Sequence, residues 1–386
     1  MRILQVVPTY LPATRYGGTI YAVHGLCRAL ASSGHEVQVF TTNVDGPKNS
    51  SVPLDRPVRL DGVQVRYFPV PWLRRLYYAP AMKRRLIKEI ATFDLVHLHS
   101  VFLWPTWAAA RAAHAQGIPY VLSPHGMLDA ALIHRKGRWR KRAWIRLIER
   151  RNLAQAAAIH VTAPREASEL AALKLDLASL IEVPNGIDSP PREKRIAPPW
   201  LSKISKPFVL YLGRINWKKG IDRLIRAIAR VPKVPLVIAG NDEEQYQPIL
   251  ERLAQSLNIA SRVYFVGPIG EEKWSLYQEA AVFALPSQSE NFGIVVLEAM
   301  AMGCPVVVTE EVGAAEIVEK YRAGIVLPHS DQIDLDLSQA IRTMLQEDKS
   351  AGERGRKAVE SHYSWNQVAE QMEDAYRQLI GQPSTT

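Results

Sequence analysis

Short β-branched or apolar runs alternate with helix-patterned segments along this chain, and the alternation is carried through twice. In the first half the runs are "ILQVV", "EVQVFTT", "VQVRYF", "DLVHLHS", "PYVLSPHG", "AAAIHVT" and "IEVPNG". In the second they are "PFVLYLG", "PLVIAG", "VYFVG", "VFALPS", "PVVVT" and "GIVLP". Strands that recur with helices between them predict parallel sheets covered by helices, because a parallel connection needs a crossover. Between the two series lies "DSPPREKRIAPPW" (188–200), too rich in proline and charge to continue either element, and it reads as a linker. A chain of 386 residues also exceeds the usual single domain of ~100 to 200 residues. The expected fold class is α/β, with two doubly wound Rossmann-like domains.

In such sheets ligands bind outside the carboxyl ends of the strands, and the unusual residues of this chain gather there. "PTYLPATRYGG" follows the first strand and ends in Gly17 and Gly18, which let backbone N–H groups approach an anion at a helix start; turns also use glycine freely. "SPHG" ends a strand at His125, a position where a packed polar group and a reacting one look alike. "LYLGRINWKKG" ends another with Arg214 and, five residues on, Lys219. Two cations directed into a cleft suit a diphosphate, although a solvated loop would carry them equally well. Asn185-Gly186 in "EVPNGID" reads as a turn or a cleft edge.

The stretch "SENFGIVVLEAMAMG" (289–303) places Glu290 on a loop-like entry and Glu298 inside an apolar run. Burying an ionised carboxylate costs several kcal/mol unless it is paired, so Glu298 faces either water or a partner. A helix starting near Phe292 or Gly293 makes Gly293, Ile294 and Val295 first-turn N–H donors, favourable to an anion. A carboxylate one to two turns inside accepts two hydroxyl hydrogen bonds, as a sugar diol offers.

Charge separates the halves. Residues 1–190 carry 25 Lys and Arg against 13 Asp and Glu, while residues 191–386 carry 23 against 25. Much of the excess lies in "LRRLYYAPAMKRRL" (73–86) and "HRKGRWRKRAWIRLIERRN" (134–152), interleaved with Trp and Tyr. One reading is a surface for anionic lipid headgroups or a lipid-linked phosphate acceptor. The other is an amphipathic helix with Ala143, Trp144, Leu147 and Ile148 on the core and its arginines merely solvated. No recognised motif accompanies the charge, so nucleic acid is not an expected partner. No run approaches the ~18 to 20 apolar residues of a membrane span, and the start "MRILQVVPTYLP" lacks a signal peptide's long apolar region. A cytoplasmic protein is expected. Cys27 and Cys304 lie among apolar neighbours without zinc-ligand spacing and read as buried free thiols of a reducing compartment.

Taken in order, the Gly-Gly loop, "SPHG", "PNGID", "LGRINWKKG" and two glutamates separated by seven residues in "ENFGIVVLE" resemble the retaining glycosyltransferases of family 4. That family has the GT-B architecture, two Rossmann-like domains facing across a cleft. The resemblance implies an N-terminal acceptor domain (1–190), a nucleotide-sugar donor domain (191–365), and a final helix (366–386) that returns to the N-terminal domain. It implies transfer of a hexose-type sugar from a UDP- or GDP-linked donor to a hydroxyl of a glycan or lipid-linked acceptor, in polysaccharide or glycolipid assembly. Arg214 and Lys219 would bind and stabilise the departing diphosphate, Glu290 the donor sugar's hydroxyls, and Glu298 the ribose hydroxyls. Backbone at Phe292, Gly293 and Ile294 would contact sugar and phosphate, His125 would sit beside the anomeric carbon, and Gly17 and Gly18 would close over the phosphate.

Retention through double displacement needs a carboxylate nucleophile, and none occupies a matching strand end in the first half; the family is held to use front-face attack instead. Acceptors are expected on the loops 44–59 and 127–142. No cofactor is expected. An Asp-x-Asp triplet, Asp334-Leu335-Asp336, reads as acidic helix capping rather than a metal site. Rival readings are a sugar-nucleotide epimerase of the same architecture and a nucleotide-sugar-binding subunit without activity. A dinucleotide oxidoreductase fits less well, since no Gly-x-Gly-x-x-Gly follows the first strand.

Overall fold

The computed structural model describes residues 1–381 except 16, 55, 130–132, 134–137, 192–196 and 348–349. The linker at 188–200, the basic segment at 134–152 and the acceptor loops at 44–59 and 127–142 therefore lie partly outside the described residues, and the tail "QPSTT" wholly so. The chain divides into two compact units, Met1–Gly186 together with the chain from Trp365 onward, and Ile187–Ser364.

The first unit contains β1 (Arg2–Val6), β2 (Glu36–Thr42), β3 (Val44–Asp45), β4 (Lys48–Asn49), β5 (Val58–Leu60), β6 (Val63–Phe68), β7 (Leu95–His99), β8 (Tyr120–Ser123), β9 (Ala158–Val161) and β10 (Leu180–Glu182). Eight of them form one sheet in the order β10-β9-β8-β7-β1-β2-β6-β5. Its pairings are parallel except at the edge, where β5 runs antiparallel to β6. Strands β7, β8 and β9 are buried along their whole length, as expected where helices cover both faces. One cover is formed by helices Pro80–Glu89 and Trp104–Ala115, whose Met82, Leu86, Ala109 and Ala113 share a core with Leu4, Val96, Leu98 and Ile159. Helices Gly18–Ser32 and Trp365–Leu379 also pack together. Trp365 fills the space left by two glycines: a Cβ on Gly25 would fall 2.1 Å from its ring, and one on Gly186 would fall 2.9 Å from it.

The second unit contains β11 (Val209–Leu212), β12 (Leu236–Ala239), β13 (Val263–Gly267), β14 (Val282–Leu285), β15 (Val306–Thr309) and β16 (Gly324–Leu327). They form a wholly parallel sheet in the order β13-β12-β11-β14-β15-β16. Every run quoted above as a strand coincides with or overlaps one of these. The edge strand β5 and the small β3–β4 hairpin lie in a region read only as loop; they are two or three residues long, too short for apolar periodicity to announce them.

In each sheet the strand order reverses at the first strand, between β1 and β7 and again between β11 and β14. The connections leaving those strands diverge to opposite faces, which opens a crevice at their carboxyl ends. Gly17 and Gly18 follow β1, Arg214 and Lys219 follow β11, and Glu290 follows β14.

Candidate active site

In the second unit the loop after β11 is tied to the loop after β14. Asn216 Oδ1 accepts the Lys218 N–H at 2.9 Å, fixing a one-turn 3₁₀ helix, Trp217–Lys219. Gln288 N–H donates to the Lys218 carbonyl at 2.6 Å. Gly220 has φ 64°, and a Cβ there would lie 2.0 Å from the Pro286 carbonyl oxygen, so only glycine lets the two loops meet. This contact brings the Lys219 ammonium onto the Glu290 carboxylate in an ion pair that is largely buried. Burial, followed by the positive charges of Arg214 and Lys218, pushes the Lys219 pKa down to about 7. Arg214 itself is exposed at the end of β11.

Glu290 is held through its backbone. Its N–H donates to Glu311 O at 3.0 Å and its carbonyl accepts from Gly313 N–H at 3.1 Å, within a parallel bridge to Val312. Phe292 is buried, and its carbonyl accepts from Ala314 N–H at 2.7 Å. The helix begins at Ile294 and ends at Ala301, with Gly293 as its N-cap at φ 89° and no side chain capping it. Val296 N–H donates to the Gly293 carbonyl at 2.8 Å, so the Ile294 and Val295 N–H groups are the ones at the helix start, next to Glu290, an arrangement suited to an anion.

Glu298 has partners that its own segment does not reveal. Lys273 Nζ lies 2.6 Å from Oε1, and the Tyr277 hydroxyl donates to Oε2 at 3.0 Å. Both come from one face of the helix Lys273–Glu279, one turn apart. The carboxylate is thus neutralised within the unit, and two of its roughly four acceptor positions are occupied.

In the first unit His125 sits just beyond β8 in a left-handed conformation, φ 53°. The following Gly126 N–H donates to Glu166 Oε1 at 2.7 Å, and Glu166 Oε2 accepts from Thr162 N–H at 3.0 Å, so one buried carboxylate staples the "SPHG" turn. His125 Nε2 lies 2.9 Å from His99 Nδ1, and His99 Nε2 lies 2.7 Å from Gln5 Oε1. A second series runs alongside: Tyr376 OH to His97 Nδ1 at 2.5 Å, His97 Nε2 to Ser123 Oγ at 2.6 Å, Ser123 Oγ to His160 Nδ1 at 2.7 Å, and His160 Nε2 to Val183 O at 2.8 Å. Burial pushes the His125 pKa down to about 3 and that of His160 to about 4, and drives His97 and His99 well below the ordinary value. All four rings are neutral near pH 7.

Gly17, at φ 68°, caps the helix Gly18–Ser32, which has neither a side-chain cap nor an acidic residue in its first turn. A Cβ on Gly18 would meet nothing within 4 Å, so that position is open toward whatever approaches the helix start.

The basic segment departs from the expected single amphipathic helix. It runs as helix Arg138–Trp144, a π turn Ile145–Glu149 and helix Arg150–Ala154. Leu147, assigned above to the core face, is 76% exposed, and Ala143 is exposed as well. Buried in this segment with Asn152 and Leu153 is instead Glu149, which accepts from Phe102 N–H at 2.8 Å, Trp144 Nε1–H at 2.8 Å and Asn152 Nδ2–H at 3.2 Å. Burial raises its pKa against those three donors. The extra residue of a π turn rotates the chain and turns Leu147 outward. Glu149, Glu166 and the His97–His99–His160 group were not singled out from the sequence. A carboxylate among arginines reads as solvated, and "DLVHLHS" reads as an apolar strand.

Asp334 and Asp336 occupy the first turn of the helix Ile333–Gln346, with Asp334 3.8 Å from Arg226. Cys27 and Cys304 are buried free thiols whose pKa values burial pushes up to about 12. Among the described residues no helix is long and apolar enough to cross a membrane.

Two Rossmann-type sheets, each with a reversal of strand order and polar residues gathered at its strand ends, define the GT-B class. The comparisons carry this further. Residues 17–186 match the family described as "Glycosyl transferase 4-like domain", and residues 193–361 the one described as "Glycosyl transferases group 1". An uncharacterized glycosyltransferase of Methanocaldococcus jannaschii is 28% identical over 405 residues, 98% of each chain. Sucrose-phosphate synthase of Thermosynechococcus elongatus shares the fold with a TM-score of 0.77 at 24% identity, over 99% of this chain and 100% of that one. HepE of Anabaena, solved with UDP-glucose, gives 0.74 at 18% identity over 98% and 100%. The chain belongs to the GT4-type glycosyltransferases of GT-B fold.

Proposed function

We propose that the protein is a retaining hexosyltransferase that moves a sugar from a UDP- or GDP-linked donor to a hydroxyl of a glycan or lipid-linked acceptor. The observation that carries this reading is the Lys219–Glu290 ion pair beside Arg214, at the uncapped start of the helix Ile294–Ala301. Two cations and a helix N-terminus together favour a diphosphate. A bound diphosphate competes with Glu290 for Lys219 and releases that carboxylate to the sugar's hydroxyls, with backbone at Phe292, Gly293 and Ile294 alongside. Arg214 and Lys219 stabilise the charge that grows on the departing diphosphate, a fixed-cation task that needs no added metal. Glu298, already neutralised by Lys273, keeps free lone pairs for the ribose diol. Gly17 and Gly18 leave room for phosphate at the other helix start.

Transfer breaks the bond from the anomeric carbon to the diphosphate oxygen and forms one to the acceptor oxygen, while the leaving oxygen takes the acceptor's proton. This front-face route fits the buried carboxylates of the first unit, Glu149 and Glu166, which are bound to N–H donors rather than free to attack. We assign acceptor binding to the first unit and donor binding to the second.

A lipid-linked acceptor is favoured by the surface around the end of β7. Trp72 packs on Tyr78 at 5.1 Å and Tyr78 on Trp104 at 5.0 Å, while Lys141 lies 6.0 Å above Phe102, so both basic segments abut the same loop. Trp72, Leu73, Ile87, Trp139 and Leu147 are all more than half exposed among these cations. Arg142, Arg146 and Arg150 line a groove of about 410 Å³ with Ile145 and Leu175. Apolar tips in a cationic field suit an anionic bilayer interface, which supports the reading of an enzyme acting on the cytoplasmic face of a membrane, in polysaccharide or glycolipid assembly.

Calorimetric titration with UDP, GDP, ADP and NAD in the presence of a chelator tests the reading. Saturable binding of one diphosphate is expected, with turnover reduced ~100- to 1,000-fold in Lys219→Gln. Binding of none, or of NAD alone, overturns it.

A further inference from the structure

The loop that leaves β7 forms one wall of the crevice between β1 and β7, and it is held in a shape its residues disfavour. Ser100 and Phe102 both sit in left-handed backbone, at φ 76° and 63°, a region uncommon for serine and rarer for a bulky aromatic side chain. Non-glycine residues persist there only where their surroundings over-determine them, and such places cluster at ligand clamps. Here the ties are explicit. Ser100 N–H donates to the Ser123 carbonyl at the end of β8 at 2.9 Å, and Thr106 Oγ1–H donates to the His99 carbonyl at 3.2 Å. Phe102 N–H donates to Glu149 Oε1 at 2.8 Å, across 47 residues of chain. The same oxygen accepts Trp144 Nε1–H at 2.8 Å, while Oε2 accepts Asn152 Nδ2–H at 3.2 Å. One buried oxygen therefore joins the crevice wall to the helix Arg138–Trp144. That helix also carries Lys141, 6.0 Å above the Phe102 ring, and Trp139, 69% exposed among arginines.

All three donors to Glu149 are uncharged, and a carboxylate taken out of water for neutral donors is costly to keep. What it provides that an apolar side chain cannot is a fixed link between the backbone of the wall and the basic helix. Glu149 closes the π turn Ile145–Glu149, an irregularity that recurs at functional sites. We propose that Glu149 is a positioning residue of the acceptor side: it couples the basic segment to the crevice wall, so that docking of that segment on an anionic lipid surface sets the wall to which a lipid-linked acceptor is presented. The proposal rests on the acceptor reading given above. Glu149 touches neither lipid nor acceptor; it transmits the position of Trp144 to Phe102.

Amide hydrogen exchange at residues 100–104, with and without phosphatidylglycerol vesicles at low salt, tests the coupling. In the wild-type protein the vesicles are expected to slow exchange there by roughly 10-fold, as for one hydrogen bond made more persistent. Trp144→Phe removes the donor on the basic helix but leaves Glu149 bound to Phe102 N–H and Asn152. It is therefore expected to bind vesicles and keep its protection without them, yet lose the response. Glu149→Leu is expected to exchange roughly 10-fold faster under both conditions. Glu149→Gln is expected to behave as the wild type, because its Oε1 still accepts from Phe102 and Trp144 while the Asn152 amide turns over to meet the new Nε2. No response in the wild-type protein, or an undiminished one in Trp144→Phe, overturns the coupling, and faster exchange in Glu149→Gln overturns Oε1 as the link. Should Glu149→Leu fail to fold, the other two variants decide. Calorimetry with UDP and GDP on the same proteins is a separate reading: failure of either to bind removes the transferase assignment and leaves the vesicle response as measured.

Discussion

Glu298 shows how much one buried carboxylate depends on its partners. Its ion pair with Lys273 is mostly shielded from water, with side chains 12% and 25% exposed, so removing either member strands the other charge. Glu298→Ala is expected to destabilise the protein by about 2 to 4 kcal/mol and to weaken nucleotide binding, both visible in melts with and without diphosphate. Glu290→Ala, by contrast, is expected to lose turnover while nucleotide affinity is largely kept. Unchanged kinetics in both would remove these assignments. The four histidines make a second prediction at this scale. Their folded pKa values are depressed below the unfolded value of about 6.5, so the unfolded chain binds protons that the folded one refuses. The stability they contribute is complete above pH 6.5 and is lost as pH falls toward 4, by up to about 1.4 kcal/mol per pH unit for each ring. Melts between pH 7 and 4 should show this decline, less steep in His160→Gln; a flat profile would mean the rings are not held neutral.

At the scale of elements, the donor site depends on two strand-end loops that touch at one glycine. Gly220→Ala would push a methyl to 2.0 Å from Pro286 O and also force a left-handed φ on an L side chain. A loss of about 2 to 4 kcal/mol is expected, with diphosphate affinity falling as well because the loop that carries Lys219 is no longer held at the strand end. Titration of UDP into a folded Gly220→Ala protein checks this, and wild-type affinity would show that the loops meet by other means. The strands flanking those loops were legible because buried parallel strands are continuous apolar runs of a recognisable length. The segment 138–154 was not, since its π turn breaks the 3.6-residue period on which a helical reading relies. Placing Leu147 on the core face followed from that period, and the extra backbone residue turns it outward.

For the whole molecule, the basic excess of residues 1–190 and the exposed aromatic and aliphatic tips of the same unit predict membrane binding. The protein is expected to sediment with phosphatidylglycerol vesicles at low salt and to be released as salt shortens the Debye length from ~30 Å toward ~8 Å. Trp139→Ala with Leu147→Ala should weaken the association, and no binding at low salt would remove the lipid-linked acceptor from the reading. What the sequence by itself determined is the double α/β alternation, the strand ends at which Gly17, His125, Arg214, Lys219 and Glu290 gather, and the family, because all of these are local patterns of burial and spacing. What only the tertiary structure decided is who meets whom. Lys273 and Glu298 are 25 residues apart, Lys219 and Glu290 are 71, and His97 and Tyr376 are 279. A buried polar group must be satisfied, but periodicity reports only which face is buried; the partner is whatever the folded topology brings to that face.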